Sequence, residues 1–141
     1  MSDKRIIYPT PEGGVAVIVP APNCGLTIDQ IALKDVPSGV PFDIVDVSEV
    51  PSDRTFRGAW KKQGAVIQHD MEKAKLIAHD MRRAARAKEF APFDEIISKQ
   101  IPGKDVVVAE ASRQAIRSKY DDMQVSINNT NTIDSLLQIV K

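Results

Sequence analysis

The stretch Asp70 to Phe90, DMEKAKLIAHDMRRAARAKEF, constrains the fold of this 141-residue chain more than any other. No Gly or Pro interrupts it, and the good helix formers Ala, Lys, Arg, Glu and Met dominate it. Asp70 and Glu72 put negative charge in the first turn, where the helix dipole favours it. Pro92 is expected to end the helix just after Phe90. At about 100° per residue, Ala74, Ile77, Ala78, Met81, Ala84 and Ala85 form one apolar stripe, and Lys75, His79, Arg82 and Arg86 fall on the opposite one. The small side chains of the apolar stripe let another backbone approach closely, so a helical hairpin or an oligomer seam is expected there.

The residues before this helix read as a small mixed unit. Arg5–Tyr8 and Val15–Val19 are β-prone runs, and Thr10-Pro11-Glu12-Gly13-Gly14 between them supplies Pro for a turn and Gly for positive φ, which predicts a hairpin. Thr27-Ile28-Asp29-Gln30 fits a capping box, opening a short helix with Ile28, Ile31, Ala32 and Val36 on one side. Pro37 and Gly39 stop it, and the alternation from Val40 to Val47 predicts a third strand lying on the hairpin. Ser48 to Asp53 reads as a connector, followed by a short helix to Lys62, a loop at Gln63-Gly64 and a brief extended Ala65–Ile67. Beyond Pro92, a short helix is expected over Phe93–Ile101, a longer one near 105–122, a polar break over Ser126–Asn131, and a terminal helix near 132–140. The fold class is therefore α+β. A small N-terminal hairpin, helix and strand unit over 1–50 precedes a mainly helical region over 51–141, the two forming one cooperative domain.

Charge sorts along the chain in a way the zero net charge conceals. Residues 1–53 hold three basic and eight acidic residues, 54–88 ten and three, and 89–141 six and eight. A basic block between acidic flanks suits an anionic ligand, and it suits head-to-tail contact between copies equally well. The 43% apolar and 27% charged composition is that of a globular soluble protein, and the longest apolar run, Val15–Val19, is far too short to span a bilayer. Met1 to Arg5 leads into a strand pattern with no signal-peptide core, so cytosolic synthesis is expected. Cys24 is the sole cysteine, which removes an internal disulfide and a cysteine-built zinc site.

Catalytic chemistry has little to stand on. The doublets His69-Asp70 and His79-Asp80 resemble the His-Asp pairs of metal-dependent phosphohydrolases, yet ten residues of one helix turn the second about 80° from the first. The bland reading, surface histidines near a helix start and on its polar face, is preferred, and no metal, cofactor or catalytic residue is assigned. A phosphate loop of Walker or dinucleotide type is absent, and Cys24 has no histidine near it in sequence. The stronger candidates bind rather than react. Lys75, His79, Arg82 and Arg86, with Arg54 and Arg57 upstream, are the candidate ligand or partner-binding residues, against the plainer alternative of a solvated face neutralised by Glu72, Asp80 and Glu89. Phe56 and Trp60, four apart and flanked by Arg54 and Arg57, are read as core anchors in preference to a platform for bases.

Several strings resemble a group of small proteins of tailed bacteriophages and prophages. They are Ile6-Ile7-Tyr8-Pro9, Glu12 to Ile18, Pro20-Ala21-Pro22, Val40-Pro41-Phe42 with Ile44-Val45-Asp46, and above all Asp53-Arg54-Thr55-Phe56-Arg57-Gly58-Ala59-Trp60. The Asp70-Met71-x-Lys73-Ala74-Lys75 helix start, with Arg82, Arg86 and Asp94 after it, is similar in that group. Arg113 to Arg117 and Thr132 to Leu136 are similar to the ends of proteins encoded beside tail fibres, including tail-fibre assembly proteins. The resemblance implies a non-enzymatic protein of virion morphogenesis, tail-fibre-associated or an assembly factor, located in the host bacterial cytoplasm during infection, with the virion as a further site. Its expected partners are a phage tail or host protein and further copies of itself through the alanine-rich stripe; no membrane is involved. The competing expectation is a counter-defence protein that binds a host nucleic-acid complex or sequesters a nucleotide signal through the basic helix face.

Overall fold

A computed structural model describes residues 3–141, and the fold is α+β. Its elements are strands β1 (Lys4–Pro9) and β2 (Val15–Ile18), helix α1 (Ile28–Asp35), strands β3 (Asp43–Asp46), β4 (Trp60–Gln63) and β5 (Val66–His69), and helices α2 (Met71–Lys99), α3 (Val106–Asn129) and α4 (Ile133–Val140). Single 3₁₀ turns lie at Val47–Glu49 and Arg57–Ala59. The chain divides into two compact units, the first ending at Asp70 and the second running over Met71–Lys141. The division expected after residue 50 falls at 70, because the β4–β5 hairpin packs with the N-terminal strands.

In the N-terminal unit an antiparallel sheet of order β2-β1-β3 pairs Ile6 with Ile18 and with Ile44. The β1–β2 turn closes as expected: Gly14 N–H donates to Thr10 Oγ1 at 2.9 Å, and Gly13 takes φ 86°, a conformation glycine adopts without steric cost. Strand alternation sends the fully buried Ile6 and Ile7 to opposite faces of the central strand. Ile6 packs with Ile31, Ala32 and Val36 of α1 and its C-terminal end, while Ile7 packs with Val15, Val45, Trp60 and Ile67. One sheet thus serves two small cores, α1 covering one face and the β4–β5 hairpin the other. The capping box forms as expected, Gln30 N–H donating to Thr27 Oγ1 at 3.2 Å and Thr27 N–H to Gln30 Oε1 at 2.8 Å. Thr27→Ala is expected to cost about 1 kcal/mol, measured by urea denaturation.

Two expectations before α2 are corrected. Phe56 to Lys62 is a single 3₁₀ turn and the start of a strand, not a short helix, because Trp60 is drawn into the second core and pairs with His69. Strand three is shorter than Val40–Val47, spanning Asp43–Asp46. An ion pair between the largely buried Lys62 ammonium and Asp43 ties β4 to β3.

The helical unit is an antiparallel pair, α2 against α3, with α4 packed on both. Ala109, Ile116, Tyr120 and Ile127 of α3 recur at seven- and four-residue spacing and are buried, as a helix packed along one seam requires. The helical hairpin expected from the Asp70–Phe90 stretch is therefore present, with three boundaries moved. α2 runs through Pro92 to Lys99, so Pro92 does not end it and Phe93–Ile101 is not a separate helix. α3 continues to Asn129 across the expected polar break, held by the fully buried Ile127. Pro92 removes one N–H and crowds the carbonyl four residues earlier, but the buried Phe90 and the half-buried Phe93 pack with Ile116 and Tyr120 on either side of it and hold the helix. Pro92→Ala restores that hydrogen bond and is expected to raise stability by about 1–3 kcal/mol in a denaturant titration.

Candidate functional site

The long helix turns only part of the expected face inward. Ala74 and Ala78 of the predicted apolar stripe are buried and Ile77 and Met81 half-buried, but Ala84 and Ala85 are exposed. The basic stripe instead lies along the seam with α3. Lys75 Nζ donates to the Asn128 carbonyl oxygen at 3.0 Å, His79 Nε2 meets Asn128 Oδ1 at 2.8 Å, and Arg82 Nε donates to His79 Nδ1 at 3.3 Å. That last bond makes Nδ1 the acceptor and Nε2 the protonated nitrogen, so the ring donates to Asn128. Arg82 retains only 8% of its accessible surface, and Arg86 stacks on Phe90 with its guanidinium carbon 4.6 Å from the ring centroid. The physical reason is size. Alanine costs little when left in water, whereas the long aliphatic stems of Lys and Arg cover more of a neighbouring helix and still deliver their charges to polar partners.

Arginines on α3 complete the arrangement. Arg113 and Arg117 each lie 5.8 Å from the Phe90 centroid, so three guanidiniums surround one ring. Glu110 binds both, at 2.8 Å to Arg113 and 3.2 Å to Arg117. Arg113 Nε lies 3.0 Å from Asp94 Oδ1 without the alignment of a hydrogen bond, a Coulombic contact only. Arg83 pairs with Asp80 at 2.8 Å. Arg82 and Arg86 are left without an ion pair among the described residues. Burial, then repulsion from Arg83 and Arg86, pulls the Arg82 guanidinium below its ordinary pKa, with Asp121 opposing. The spacing of Arg113 and Arg117, four apart on a helical pattern, was the available signal for their part in this cluster.

Arg54 and Arg57 belong to the N-terminal unit, where their guanidinium carbons lie 5.7 and 5.6 Å from the Trp60 centroid. Trp60 and Phe56 are each 1% exposed, so both are core anchors and offer no surface for a base. Burial pushes the His69 imidazole below its ordinary pKa, Asp53 opposing. Among the described residues no group of three or more His, Cys, Asp or Glu side chains is placed to hold a metal ion, and no helix is long and apolar enough to cross a membrane.

Comparison with known protein families, with characterised proteins and with solved structures finds no match.

Across the same seam, Lys119 Nζ donates to both Glu89 oxygens at 3.0 and 3.2 Å. The Tyr120 hydroxyl first, and Lys119 with it, holds the Glu89 carboxyl below the usual range; Arg117, then Arg113, does the same for Glu110. A carboxylate with a depressed folded-state pKa stabilises at neutral pH, and this contribution is lost as pH falls through the folded-state value. The melting temperature is therefore expected to fall on acidification through the carboxylate range. Thermal melts of Glu89→Gln across that range check this, with a shallower pH dependence expected of the variant.

Proposed function

We propose that this chain is a non-enzymatic protein of a tailed bacteriophage that acts in virion morphogenesis through protein contacts, as a tail-fibre-associated component or assembly factor that self-associates. The observation that carries the contact reading is apolar surface left open on the helical unit: Leu76 of α2 is 64% exposed and Val107 of α3 77%, with Ala84, Ala85 and Val108 exposed as well. Burying such side chains against a partner is favourable, at about 25 cal/mol per Å² of apolar area. The sequence resemblance, strongest in Asp53 to Trp60, supports the phage setting.

Self-association is tested by light-scattering mass measurement. Leu76→Glu with Ala84→Glu keeps strong helix formers at exposed positions and is expected to reduce an oligomer to monomer. A wild-type protein that is monomeric at high concentration contradicts this part of the proposal. The crowding of Arg82, Arg83 and Arg86 favours a second reading as well, a counter-defence protein that binds a nucleotide signal or a host nucleic-acid complex.

A further inference from the structure

Two depressions run along the α2–α3 seam and share Arg86 and Ala87. The first, about 310 Å³, is lined by Arg86, Phe90, Asp94, Arg113 and Arg117 together with Ala87. The second, about 470 Å³, is lined by Arg82, Arg83 and Arg86 with Asp121 and Gln124. Together they hold five arginines against two aspartates. After Glu110 and Asp80 are counted as partners, and Asp121 as the charge facing Arg82, Arg86 keeps uncompensated charge at the point where the two depressions meet.

Guanidinium groups repel one another, and holding several beside one ring in a partly desolvated groove is unfavourable unless anionic charge relieves it. Arginine forks match phosphate oxygens in geometry as well as charge. We propose that this groove binds a compact polyphosphate, as inorganic pyrophosphate or as the di- or triphosphate tail of a nucleotide. Phosphate groups bridge from Arg82 and Arg86 toward Arg117, the α3 arginine whose Glu110 partner lies at the longer distance. Asp94 lines the first depression and Asp121 the second, limiting the cationic surface, so a short polyanion fits better than a polynucleotide, which needs a continuous basic track. Phe90 is 92% covered and already stacked by Arg86, so recognition rests on the phosphates and not on a base. The inference rests on the second reading's premise of an anionic ligand and is independent of the tail-assembly reading.

Isothermal titration of the full chain with pyrophosphate, ATP, orthophosphate and a short single-stranded oligonucleotide, at constant ionic strength, tests it. Saturable binding of pyrophosphate is expected, weakened at least tenfold in Arg86→Gln and in Arg117→Gln, and unchanged in Lys34→Gln, an exposed site in the other unit. Arg86→Lys, which keeps the charge but loses the fork, is expected to bind more weakly than wild type, and circular dichroism verifies that each variant is folded. ATP binding as tightly as pyrophosphate identifies the phosphate tail as the recognised element; much tighter binding of ATP overturns recognition by phosphate alone. Tighter binding of the oligonucleotide than of either compact ligand overturns the inference while leaving the nucleic-acid form of the second reading standing. No saturable binding of any probe, or binding insensitive to both arginine changes, overturns the site.

Discussion

Replacing Trp60 with alanine is expected to destabilise the N-terminal unit by about 3–5 kcal/mol, the largest single-site effect in that half of the chain. The indole is 1% exposed and packs with Ile7, Val15, Val45 and Ile67 in the core between the sheet and the β4–β5 hairpin, with Val17 and Val50 at its edge. Truncation opens a cavity that neighbours on short strands cannot fill. Trp60→Phe is expected to cost far less. The indole Nε1 is buried with no hydrogen-bond partner among the described residues, and removing such a donor returns about 1–3 kcal/mol of desolvation penalty against the lost packing. Hydrogen exchange at the Ile6 and Ile7 amides reads this without relying on tryptophan fluorescence. Protection that falls as much in Trp60→Phe as in Trp60→Ala contradicts the reasoning.

Phe90→Ala is the counterpart in the helical unit, with about 3–5 kcal/mol lost. Phe90 packs with Ile116 and Tyr120 and is also the ring on which Arg86, Arg113 and Arg117 gather. Each cation–π contact adds roughly 0.5–1 kcal/mol at a partly exposed site, so Phe90→Leu, which keeps most of the apolar volume but loses the ring, is expected to cost more than its lost apolar area alone accounts for. Denaturant titration of Phe90→Leu beside Phe90→Ala measures this. Ala85→Ser, on the exposed side of α2, is the internal comparison and is expected to change stability by less than about 0.5 kcal/mol.

These variants also mark where sequence reasoning succeeds and where it stops. The Thr27–Gln30 cap, the Thr10–Gly14 turn and the inward side of α1 follow from local chemistry, and each is in place. The β4–β5 hairpin did not announce itself, because Trp60-Lys61-Lys62-Gln63 is polar on one face and its pairing with Val66–His69 is decided by the burial of Trp60, a long-range event. Pro92 misleads for the same reason: a local penalty is outweighed by Phe90 and Phe93 packing on α3. The rotation of α2 is the instructive case. Counting alanine as apolar and arginine as polar sets the seam to one side of where it lies, between Ala74 and Ala78 and the Arg82 and Phe90 side, since what decides it is how much surface a side chain can cover. Lys75, His79, Arg82 and Arg86 share one stripe by helical spacing and do lie together, but along the seam and not on an open outer face. Arg54 and Arg57, grouped with them by charge, stand on a different unit beside Trp60.

The proposed role is contact with phage tail components. Affinity purification of the tagged protein from infected cells, followed by mass spectrometry, tests it most directly. Enrichment of tail or tail-fibre proteins, diminished by Leu76→Glu with Ala84→Glu, is the predicted result. Enrichment of host defence proteins with tail proteins absent contradicts it.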